Sequence, residues 1–146
     1  MSTADTTLRM ERLIAAPPEL LFSLWVEPAQ LIKWWAPDGC EAAVDLLDVR
    51  PGGLWRTVLR KPDGSLAPAS GVYRIVEPPR RLSFTWAWED ERGTRGHETE
   101  VTVTFEKTPG GTRLLLVQQR FETEEICDRH TIGWSSAFDR LTKCAL

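Results

Sequence analysis

The residues able to do polar chemistry inside this chain are few, and they converge on one stretch near its end. His130 and Gly133 stand one turn apart, with Trp134 beside them, in a segment whose other residues are apolar or charged at helical spacing. Glycine inside a helix costs roughly 1 kcal/mol against alanine, so its presence there asks for a reason. Gly133 either leaves room for a ligand or permits close helix–sheet packing. His130 either supplies a polar contact in an apolar pocket or hydrogen-bonds a strand residue. A general acid or base would need a partner in a cleft, and His130 is the sole candidate, so no catalytic residue is assigned. His97 reads as a strand-end surface residue. Glu98 and Glu100 share a strand face with Thr102, Thr104 and Glu106, which makes that face a wet one. GxSxG, P-loop, GxGxxG and HExxH patterns are all absent.

Cys40, Cys127 and Cys144 are widely spaced, with no CxxC, and read as free thiols of a reducing compartment. Neither histidine pairs with a cysteine at ligand spacing, so no metal is expected, and no motif calls for a cofactor. Aromatic residues are the stronger signal: seven tryptophans against five phenylalanines and one tyrosine. Indole rings are large and carry an N–H that needs a partner when buried. Such rings either fill an interior or line one.

The elements that position these residues follow from periodicity and turn signals. A first strand is expected over 7–14. Pro17 and Pro18 then open a short helix, Glu19 to Val26, because proline suits a helix's first turn. A second runs from Pro28 through Trp34 and Trp35 and stops before Pro37. Strands follow over 42–49, 54–60, 70–77, 81–89, 97–107 and 112–121, separated by Gly- and Pro-rich turns. Connections this short make the strands antiparallel. Leu82, Phe84, Trp86 and Trp88 share an apolar face, with Ser83, Thr85 and Ala87 on a wet one; Val101, Val103 and Phe105 alternate likewise. Thr123 caps a last, long helix whose apolar arc carries Ile126, Cys127, His130, Gly133, Trp134, Ala137, Phe138, Leu141 and Cys144. Only a sheet is large enough to cover that arc.

The chain has 146 residues and a formal net charge of −3. That suits one α+β domain, placed at 7–146 after a flexible stretch over 1–6. Mixed charges without a basic stripe argue against nucleic acid, and no apolar run is long enough for a membrane span. A cytoplasmic location is expected.

Taken in order, IAAPPELLFSLW, LIKWWAPDG, DVRPGG, GVYRIVEPPRRLSFTW, PGGTRLLL and HTIGWSSAFDRL resemble the activator of heat-shock protein 90 ATPase-like family, within the START and Bet v 1-like (SRPBCC) superfamily. The likeness spans Leu8 to Leu141. It implies the helix-grip fold: one strand, two short helices, six more strands, and a long helix gripped by a curved sheet of about seven strands, with a cavity between. Superfamily relatives bind lipids, hormones or polyketides, and a few are enzymes. The expectation is a small hydrophobic ligand surrounded by Trp55, Tyr73, Phe84, Trp86, Trp88, Val103, Leu116, His130, Trp134 and Phe138, with Trp35 closing the helical end. In DVRPGG, Gly52 and Gly53 are expected to make a tight turn braced by Asp48 and Arg50. Many relatives have a histidine on the last strand where this chain has Gln118, which cannot shuttle protons near neutral pH. Two rivals stay open: a protein-interaction module with a filled core, for a chaperone or other partner, and an enzyme using His130. A homodimer through exposed strand edges is also open.

Overall fold

The computed structural model describes residues 6–146. The flexible stretch expected over 1–6 therefore lies, except for Thr6, outside the described residues. Ten elements run along the chain: β1 (Leu8–Ile14), α1 (Pro18–Val26), α2 (Pro28–Leu31), β2 (Glu41–Leu47), β3 (Leu54–Arg60), β4 (Leu66–Glu77), β5 (Arg81–Trp88), β6 (Thr99–Thr108), β7 (Gly111–Gln119) and α3 (Glu124–Ala145). The strands form one curved antiparallel sheet in the order β1-β7-β6-β5-β4-β3-β2, so that β1 and β2 are its edges. This is the helix-grip arrangement, with α3 laid across the concave face.

The long helix forms as its sequence demands. The Thr123 side chain accepts a hydrogen bond from the Ile126 N–H, and Glu124 and Glu125 follow where the helix dipole favours negative charge. Its buried face carries Cys127, Trp134, Ala137, Phe138, Leu141 and Ala145. Arg12 of β1 reaches Asp139 at 2.8 Å and ties the helix to the sheet edge.

Three elements differ from the sequence expectation. The second helix ends at Leu31, not before Pro37. Trp34 and Trp35 are both buried, yet neighbours on a regular helix point about 100° apart; the backbone loosens into turns that let both rings face inward. The fourth strand begins at Leu66 rather than at 70 and passes through Pro68. There β3 pairs on one side while β5 has already ended opposite Ala69, so a residue without an N–H costs little ladder. On β5 the expected wet face is buried: Ser83, Thr85 and Ala87 are each 3% exposed or less. The strand lies inside the sheet between β4 and β6, and its small side chains are covered there. The Thr85 hydroxyl accepts the Val72 N–H there at 2.9 Å.

The DVRPGG turn is built as read. Arg50 pairs with Asp48 at 2.8 Å, and Gly52 takes a left-handed φ of +84°. The turn also grips β4, because the Gly52 N–H donates to the Tyr73 carbonyl and Gly53 O accepts the Tyr73 N–H.

Candidate functional site

Between α3 and the sheet the interior is a solid block of rings. Trp25 stands at its centre, with Trp34, Trp35, Phe105, Trp134 and Phe138 all within 6.3 Å between ring centroids. Pro18, Leu21, Phe22 and Trp25 recur at i, i+3, i+4 and i+7, which is why α1 turns this edge inward. That spacing was available in the sequence, although Trp25 was not among the expected site residues. Trp25 Nε1, buried at the centre, has no hydrogen-bond partner, whereas Trp34 Nε1 donates to Leu24 O at 2.8 Å and Trp55 Nε1 to Thr85 O at 3.0 Å. The second bond depends on Gly71, where a Cβ would lie 1.8 Å from that same carbonyl and 2.6 Å from the indole nitrogen.

The expected cavity residues divide accordingly. Val103, Leu116 and Phe138 are wholly buried in packed core. Trp55, Tyr73 and Phe84 border a void of only about 10 Å³, room for roughly one water. Burial there pushes the Tyr73 phenol well above its ordinary value. The interior space expected around these six residues is thus occupied by the rings themselves, since the three tryptophans after β1 (Trp25, Trp34, Trp35) are delivered into it.

The remaining five, Trp35, Trp86, Trp88, His130 and Trp134, come together elsewhere. They wall an open cleft of about 450 Å³ at the N-terminal half of α3, joined by Pro37, Leu59, Lys61, Ile126, Arg129 and Gly133. Trp35 is the partition: it borders both the small void and the cleft, lies at 5.2 Å and 30° on Trp86, and donates to Thr57 Oγ1 at 3.0 Å. Arg140 donates to Ala36 O at 2.9 Å, and the Asp38 N–H donates to Ser136 Oγ, which pins the Pro37 loop against the helix. No sequence signal local to Pro37, Leu59 or Lys61 links them to this site; the topology alone does.

Gly133 faces open space. A Cβ there would meet only Pro37 Cγ, 4.0 Å away, so close packing does not explain the glycine. His130 does hydrogen-bond a strand residue: Trp88 Nε1 donates to its Nε2 at 3.1 Å. An indole N–H can only donate, so Nε2 carries no proton and the neutral ring holds its proton on Nδ1. Burial against Trp86, Trp88 and Phe121 pushes the imidazole down to about 4. It is therefore neutral at physiological pH. Among the described residues it makes no hydrogen bond or ion pair with a carboxylate.

Behind the cleft, Gln118 is a wholly buried clamp. Its Oε1 accepts from Trp134 Nε1 and its Nε2 donates to Thr99 Oγ1, both at 2.8 Å, so the amide bolts α3 to β6 and β7. His97 sits at the surface and contacts the Arg120 carbonyl. A wider depression of about 840 Å³ lies around Arg56, Ser65 and Glu89–Gly93. Arg56 there binds Glu89 and Asp45, and its contact with Glu89 holds that carboxyl below its ordinary value. Among the described residues no cluster of His, Cys, Asp and Glu could hold a metal ion, and no helix is long and apolar enough to cross a membrane.

The family model described as activator of Hsp90 ATPase homolog 1-like protein matches residues 15–145. The chain belongs to this family. The crystal structure of the AHSA1 protein from Silicibacter pomeroyi is 36% identical, with a TM-score of 0.85 over 94% of this chain and 95% of that one. A crystallised protein from Chromobacterium violaceum is 25% identical, with a TM-score of 0.88 over 96% of each chain. A protein from Arthrobacter aurescens, solved in solution, is 22% identical with a TM-score of 0.89 over 99% of this chain and 88% of that one, a likeness of fold alone. No curated protein matches. This AHSA1-type chain thus shares its whole architecture with proteins of several bacteria.

Proposed function

We propose that this AHSA1-type domain binds a small hydrophobic molecule in the cleft between α3 and the sheet, rather than in an interior cavity. One observation carries the reading. Among the described residues two buried side-chain donors have no hydrogen-bond partner, Trp25 Nε1 in the packed core and Trp86 Nε1, and of these only Trp86 (6% exposed) borders the cleft. A buried donor left unpaired costs about 1–3 kcal/mol, a penalty that a ligand acceptor would relieve. The cleft volume of about 450 Å³ suits a small ligand, and its walls are mostly aromatic. Gly133 keeps one wall low, and Trp88 and His130 hold each other at the mouth.

The test is tryptophan fluorescence titrated with fatty acids and small aromatic compounds, on the wild type and on Gly133→Leu, which places a side chain in the cleft. Saturable change in the wild type that Gly133→Leu abolishes, with folding intact, supports the reading. Identical responses in both proteins would refute it.

A second reading has its own support. The solid interior is what a protein-interaction module for a chaperone or other partner would have. It predicts that ligands do nothing and that charge substitutions on the outer surface disrupt binding of the partner. An enzymatic role for His130 finds less support, because the ring has no carboxylate to orient it and its basicity is low.

A further inference from the structure

The polar atoms around the cleft are unbalanced in one direction. Trp35 Nε1, Trp88 Nε1 and Trp134 Nε1 are all spent on protein acceptors, at 3.0, 3.1 and 2.8 Å. Trp86 Nε1 is left without a partner, and no protein partner is found for His130 Nδ1 among the described residues. Both atoms are donors, the second by the tautomer that Trp88 imposes. Two cations, Lys61 and Arg129, stand among the residues bordering the same space. Arg129 meets only the exposed Glu125, at 2.7 Å, and Lys61 has no ion pair among the described residues. None of the lining side chains is a carboxylate, and the one side-chain acceptor, His130 Nε2, is already engaged.

Donors and positive charge without a free acceptor define the complementary ligand. We infer that the cleft selects a small apolar molecule bearing a carboxylate, its hydrocarbon or aromatic body between Trp35, Trp86, Trp88 and Trp134, and its anionic group toward Lys61, Arg129 and the two unpaired N–H donors. This rests on the binding reading above and goes past it by fixing the ligand's charge. A carboxylate accepts several hydrogen bonds at once, and charge-assisted bonds are about twice as strong as neutral ones. An alcohol of the same carbon skeleton fills the cleft equally well and satisfies the donors less completely. A cationic ligand meets two like charges.

Matched pairs separate the two ideas: decanoate against 1-decanol, and 1-naphthoate against 1-naphthol, titrated calorimetrically at low and at high salt. The expected result is that the wild type prefers each acid by roughly tenfold or more, the size of one charge-assisted hydrogen bond. In the double variant Lys61→Gln, Arg129→Gln the acid should weaken to the level of the alcohol, while the alcohol keeps its affinity. Salt should weaken the acid alone. Equal affinity for acid and alcohol, both lost in Gly133→Leu, overturns the carboxylate inference and leaves the cleft reading standing. No binding by any of the four overturns both.

Discussion

The same residue type does opposite things in two adjoining regions of this domain. Around Trp25 and Trp34 the indoles touch other rings on every side, and almost nothing remains between them. A few ångströms away, Trp35, Trp86, Trp88 and Trp134 present faces to an open cleft of about 450 Å³. The partition is Trp35, which belongs to both. What separates the regions is not hydrophobicity but delivery. The irregular segment after α2 drops two consecutive rings inward, while α3 presents Gly133 and His130 where a larger apolar side chain would have sealed the gap. An aromatic-rich sequence can thus make a filled core and a ligand site from one continuous cluster.

If the core region is structural, its substitutions must act on stability first. Trp34→Ala removes a wholly buried ring and orphans the Leu24 carbonyl. It should cost about 3–5 kcal/mol in denaturant unfolding. Trp88→Phe, in contrast, loses one hydrogen bond at a ring that is 37% exposed. It should cost under about 1 kcal/mol. Equal costs would erase the distinction between the regions.

The seam between them is Gln118. Gln118→Leu keeps the volume but strands the Trp134 N–H and takes the donor from Thr99 Oγ1, which keeps its own bond to the Trp86 carbonyl. About 1–3 kcal/mol of destabilisation is expected from chemical denaturation, because both groups stay buried. A negligible loss would mean that the clamp is incidental.

The cleft side has a pH signature. His130 is neutral in the fold, with its imidazole pushed down to about 4 from an ordinary 6.5. The unfolded chain therefore takes up the proton first, and stability must fall as pH drops. The contribution is complete above about pH 6.5 and is lost progressively toward pH 4, on the side of acid. Trp86, Trp88 and Phe121 face the ring, and Lys61 and Arg129 are the charged groups sharing its cleft. His130→Gln should flatten that limb of a stability-against-pH curve; an unchanged slope between 6.5 and 4 would place the ring in water instead.

Gly133 gives a small effect of the opposite sign. With open space at its Cβ position, Gly133→Ala should raise stability by about 1 kcal/mol in thermal unfolding, through helix propensity alone. A loss would show that the cleft wall is tighter than its geometry states.

Much of the architecture was legible in the chain because period and punctuation are local properties. Thr123 and the arc from Ile126 to Leu141 announce α3, and the alternation of Val101, Val103 and Phe105 announces β6. The interior was less legible. Alternation puts Trp86 and Trp88 on one face, but not that Trp88 stands at a strand end, half out of the core. It brings Val103, Leu116 and Phe138 inward without saying whether space is left beside them. That depends on how Trp25, Trp34 and Trp35 pack from the other side, a matter of tertiary volume. Pro37, Leu59 and Lys61 reach the cleft from separate loops and strands, and no spacing in the chain connects them to His130.

The most direct test of the two-region account uses the tryptophans as their own reporters. Each indole N–H gives a separate signal in a two-dimensional nitrogen–proton spectrum, assigned by single Trp→Phe variants. On titration with decanoate or 1-naphthoate, the signals of Trp86 and Trp88 should move most, those of Trp35 and Trp134 less, and those of Trp25 and Trp34 should stay in place. Movement led by Trp25 and Trp34, or no movement at any of them, would contradict the account.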